Sequence, residues 1–141
     1  MYTLCSRFSF LLQSLTFLPS SVATDINLHH PNTARPHSEH HAREILNRTR
    51  VWLNCHNLDR STASWHGKSS TIANTDYIAT HSGDWYKQSQ FNIPNFDVHL
   101  SCYNAELRVL AEFKKEIYSD PSHPTGLNRV SSHFTLHIRF I

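Results

Sequence analysis

Histidine carries most of the chemistry this chain could do. The stretch His37-Ser38-Glu39-His40-His41 sets His37 and His41 four residues apart. On a helix that spacing puts two imidazoles on one face, as zinc ligands are placed. Leu28-His29-His30 lies upstream. The H-E-x-x-H and H-x-x-E-H orders are both absent, and His37 precedes the best N-cap, so the plainer reading is solvated histidines beside a helix start. His56 and Asp59 could take part in acid–base chemistry, but no nucleophile, base and orienter can be assembled around them. Cysteines at 5, 55 and 102 are odd in number and widely spaced. They give neither a disulfide framework nor a C-x-x-C metal knuckle. Cys55 and Cys102 read as small buried apolar residues. Gly67-Lys68-Ser69 resembles the end of a phosphate loop without its upstream glycine. With three Gly in the chain, no Gly-rich nucleotide motif occurs.

These groups have to be positioned by elements, and composition bounds what the elements can be. The 141 residues suit one domain or part of a larger one. A mean hydropathy of -0.45 is polar for a globular chain, while 11% aromatics argue against disorder. The net charge of +2 makes no strong electrostatic case for nucleic acid or acidic membranes. Arg7, an apolar run from Phe8 to Leu18, and Ser21-Val22-Ala23 form an acceptable secretory pattern, and Asn47-Arg48-Thr49 is a glycosylation sequon. Together they support a small secreted glycoprotein as an alternative. The run is about 11 residues long, against roughly 20 needed to span a bilayer.

Two long helices are expected, near 38–66 and 97–118, in an all-α fold with irregular termini. The first has Ser38 as N-cap, Glu39 in its first turn and Gly67 at C′. The second has Asp97 as N-cap, Leu100, Tyr103, Leu107, Leu110 and Ile117 as its apolar stripe, and Lys114 and Lys115 near its C-terminal end. Pro94-Asn95 reads as a break between elements, and Trp85-Tyr86 as part of a short helix. On the first helix, Ile45, Thr49, Trp52, His56 and Ala63 fall on one side, and Val51, Cys55, Leu58 and Thr62 on another. Arg50, Asn54, Asn57 and Ser61, with Asn47, make the narrow polar wedge. A helix apolar over most of its girth belongs at the centre of a helical domain. Asp59 and Arg60 fall outside the wedge, so both should be at least partly buried, with Asp59 paired to an Arg or Lys. From Phe134 to Phe140 the apolar period changes to 2. That shift suggests that residues 130–141 are foreign to the domain, as translated intron would be, and residues 1–21 similarly.

The stretch from Arg43 to Ile72, REILNRTRVWLNCHNLDRSTASWHGKSSTI, resembles the central motif of the fungal-specific transcription factor domain, the middle homology region of fungal zinc-cluster transcription regulators. The family pattern of arginines, an aromatic, a cysteine, Leu-Asp-Arg, a glycine with a basic residue, and then Ile and Asp is met by Arg50, Trp52, Cys55, Leu58, Asp59, Arg60, Gly67, Ile72 and Asp76. Asp25–His30 and Phe96–Asp120 resemble the flanking helices, so the likeness spans residues 22–129. It implies a truncated, all-helical regulatory domain with no enzymatic activity, structural rather than catalytic motif residues, and no cofactor in this chain. It further implies nuclear residence and partners in the transcription machinery or self-association, with no membrane. In that family DNA is read by a separate six-cysteine module holding two zinc ions, which the three cysteines here cannot build.

Overall fold

The computed structural model describes residues 18–118, and among them every regular element is helical. They divide into two compact units, one ending at Leu107 and one beginning at Arg108. In chain order the elements are α1 (residues 18–25), α2 (Glu39–Trp65), α3 (Tyr77–Thr80), a 3₁₀ turn (Trp85–Lys87) and α4 (Pro94–Ile117). The all-α expectation holds. Of the apolar run Phe8–Leu18 only Leu18 is described, as exposed helix. The period-2 segment and the helix start expected at Thr125 or Asn128 lie outside the described residues.

Local chemistry sets the ends of α2. Ser38 is extended, and its hydroxyl accepts from the His41 N–H at 3.1 Å, satisfying one of the donors a helix start leaves orphaned. At the other end Gly67 has φ +63°, a conformation that costs glycine little. The turn lets the Lys68 N–H reach Ala63 O at 2.8 Å and the Gly67 N–H reach Ser64 O at 3.4 Å, the paired bonds of a Schellman motif. α1 closes in the same way with Asn27 at φ 57° and the Leu28 N–H on Ala23 O at 2.9 Å. Arg48 then reaches back from α2 to the carbonyls of Ile26 and Asn27, at 3.3 and 3.2 Å.

α2 contributes to both apolar clusters of the first unit. Trp52 and Cys55 pack with Ala23 and Leu28. Leu46 and Leu53 pack with Ala79, Trp85 and Leu100. Burying side chains of this size is worth about 1.5–3 kcal/mol each, which is why α2 forms although its sequence is polar on average.

Three expectations need correction. α4 begins at Pro94, three residues before Asp97. Proline lacks the N–H that a first-turn residue would leave unpaired, so it starts this helix instead of breaking the chain. Asp97 lies in the first turn and accepts from the Ile93 N–H at 2.7 Å. The polar wedge of α2 is also misplaced: Arg50 and Asn57 are buried, while Val51 and Leu58 are exposed. On α4 the buried positions up to Leu107 are Asp97, Leu100, Ser101, Asn104 and Leu107. Tyr103 and Cys102 are exposed there, so Cys102 is not the core residue expected.

Candidate functional site

The polar side chains of α2 that the sequence draws attention to enter separate sets of buried and part-buried hydrogen bonds. Arg50 donates from Nε to Asp97 Oδ1 at 2.7 Å and from Nη2 to Oδ2 at 2.9 Å, a two-pronged pair with planar specificity. Asn92 Nδ2 and the Ile93 N–H add donors to Oδ2 at 2.9 and 2.7 Å. Asp97 has no solvent exposure. Burial alone would push its carboxyl up. The hydrogen bonds from Arg50, Asn92 and Ile93, with the Arg50 charge, outweigh that and hold it below the usual carboxylate range.

Nearly two turns further along α2 the side chains that α2 and α4 present to each other are neutral. Asn104 of α4 donates to Asn57 Oδ1 at 3.0 Å, and its amide nitrogen lies 3.0 Å from His56 Nδ1. Asn57 donates to Leu100 O at 3.3 Å, and Ser82 Oγ donates to Asn104 Oδ1 at 3.2 Å. Arg60 Nε donates to His56 Nε2 at 3.0 Å. Burial, and after it the Arg60 charge, push the His56 imidazole below its ordinary pKa, against smaller opposing pulls from Asn57, Asp76 and Asp59.

Asp59 is buried as expected, but its partner is not the expected cation. Its carboxylate accepts from the Thr71 N–H and hydroxyl, both at 2.8 Å, and from the Ile72 N–H at 3.0 Å. A carboxylate can be desolvated when backbone donors replace water, and here they come from the segment that follows Gly67. Trp52 Nε1 donates to Asp76 Oδ1 at 3.0 Å. The same oxygen caps α3 by accepting from the Ala79 N–H at 2.8 Å.

No protein-family model, curated protein or solved structure matches the chain.

Of the motif residues, Arg50, Trp52, Asp59 and Arg60 each enter one of these sets. Cys55 is buried in the apolar cluster with Trp52, its thiol pushed up by burial, and Gly67 makes the turn that brings Thr71 and Ile72 back to Asp59. Leu58 takes no part and is exposed. Sequence reasoning missed Asn57, Ser82, Asn104 and the pairing role of Asp97. One signal was legible: Asn104 falls on the stripe between Leu100 and Leu107, and a polar residue at such a position needs a buried partner. His56 and Asp59 are tied into the scaffold by the contacts above, and the arrangement joins α2 to the elements around it. The His37 and His41 rings lie with centroids 4.1 Å apart, tilted at 41° to each other. Among the described residues no three His, Cys, Asp or Glu side chains are placed to hold a metal ion.

Proposed function

We propose that this chain is a regulatory and interaction domain, non-catalytic and nuclear, of the kind found in the middle of fungal zinc-cluster transcription regulators. The observation that carries the reading is the convergence of the residues on which the resemblance rests. Trp52 bonds to Asp76, and Asp59 gathers Thr71 and Ile72. A pattern strung over some thirty residues of sequence is thus one piece of physical structure, in which the helix, its terminal glycine and the returning segment each need the others.

The same helix offers a surface for a partner. Val51, Leu58 and Trp65 recur every seven residues and are 47%, 45% and 88% exposed. An apolar row at this spacing follows one helix face and is the type of surface used in protein contacts. DNA reading would fall to a six-cysteine zinc module that three cysteines cannot supply. The test is to tether the full chain to an unrelated DNA-binding module in a fungal reporter strain. Reporter output should change several-fold relative to the module alone, and Leu58→Asp should reduce that change without unfolding the chain. An unchanged reporter, with the chain folded by circular dichroism and present in the nucleus, overturns the reading. A glycan on Asn47 of the native protein would instead favour the secreted alternative.

A further inference from the structure

The neutral joint has a property that the charged joint lacks. His56 is 1% exposed, and both of its ring nitrogens face N–H groups, Arg60 Nε at 3.0 Å and the Asn104 amide nitrogen at 3.0 Å. A neutral imidazole has one lone pair to offer and an imidazolium has none. Arginine decides the matter by itself, because a guanidinium cannot accept a hydrogen bond and stays charged at any pH a protein survives. Nε2 therefore accepts from Arg60, and a proton added there sets the imidazolium N–H against the Arg60 N–H and one positive charge against another at hydrogen-bond distance, out of reach of water.

We propose that His56 is a proton-operated latch: the neutral ring is accommodated against Arg60 and Asn104 where α2 meets α4, and its protonation places an imidazolium there that neither neighbour can satisfy, loosening the Asn57–Asn104–Ser82 cluster. Among the described residues the charged and titratable groups around the ring are few. Arg60 and Asp59 come from α2 itself and Asp76 from the cap of α3, and α4 contributes only the uncharged Asn104 at the ring. The carboxylates favour the imidazolium, but Asp59 is already engaged by Thr71 and Ile72, and Asp76 by Trp52 and Ala79. Burial and Arg60 prevail, so the folded chain holds His56 neutral where the unfolded chain protonates it. The stabilisation is then complete above the unfolded pKa of roughly 6.5 and is lost as pH falls below it.

The experiment is urea unfolding of the full chain and of His56→Gln at pH 7.5 and pH 5.0, at one ionic strength. Glutamine fills the site without titrating. The wild-type folding constant should fall between the two pH values by more than that of the variant, by up to about thirtyfold, the limit that an unfolded pKa near 6.5 allows at pH 5.0. Equal falls would overturn the latch. If His56→Gln does not fold, a nuclear magnetic resonance titration of the wild-type imidazoles decides. One ring that stays neutral until α4 amides near Asn104 lose hydrogen-exchange protection supports the latch. All twelve rings titrating near 6.5 in a fully protected chain would refute it.

Discussion

Two joints fasten the same pair of helices, and they differ in what holds them. At one end Arg50 and Asp97 meet as a desolvated ion pair with two further donors. At the other, Asn57, Asn104 and Ser82 meet through hydrogen bonds between neutral groups beside the His56 ring, with one guanidinium at the edge. The charged joint stays closed in mild acid, because a carboxyl held below its usual range keeps its stabilising effect until pH falls through that lowered value. The neutral joint contributes less as pH falls below about 6.5, where the unfolded chain takes a proton that the buried His56 ring resists. A helix pair can therefore be strong at one end and conditional at the other without any change in its backbone.

The largest test of this contrast is Asp97→Ala. It strands Arg50 beneath α4 and should cost about 3–5 kcal/mol in urea unfolding. The loss should be the same at pH 7.5 and pH 5.0, and a loss that vanishes at pH 5.0 would make the two joints one. Asp59→Ala comes next, at about 3 kcal/mol, because the Thr71 and Ile72 N–H groups lose a charged acceptor. Faster proteolysis between Gly67 and Asp76 should accompany it, and a melting curve like that of wild type would remove Asp59 from the scaffold. Asn104→Ala should cost about 2 kcal/mol at neutral pH by leaving Asn57 and Ser82 short of a partner. A cost that falls between pH 7.5 and pH 5.0 would mark loosening of this joint in the folded chain. Arg43→Ala is the control. Its ion pair with Glu39, at 2.8 Å, has both side chains about 60% exposed, and its removal should change stability by less than about 0.5 kcal/mol at either pH.

How much of this could be read from the sequence follows from the range of the forces involved. Ser38 and Gly67 set the ends of α2 through bonds to residues three to five positions away, and both were legible. The start of α4 was not, because Asp97 can bond back to the Ile93 N–H from inside the first turn as readily as an N-cap bonds forward. Helix faces were legible only where apolar residues meet apolar partners, as at Trp52 and Cys55. Arg50 and Asn57 looked solvated, and each is buried by a partner more than forty residues away, Asp97 and Leu100 O. Asp59 was recognised as buried, but its partners were not, since backbone N–H groups leave no mark in a sequence.

The three tryptophans have a consequence for light. Trp65 stands almost wholly in water at 88% exposure, whereas Trp52 and Trp85 are 3% and 8% exposed. Trp85 lies with its ring centroid 5.9 Å from the Arg50 guanidinium carbon, and Trp52 is bonded to Asp76. Iodide should quench Trp65 first and leave a blue-shifted remainder from the other two. With Trp65 silenced, the remaining emission divides by location, Trp85 reporting on the charged joint and Trp52 on the returning segment. The chain thus carries its own pair of optical gauges, one for each fastening of α2 that is neither neutral nor conditional.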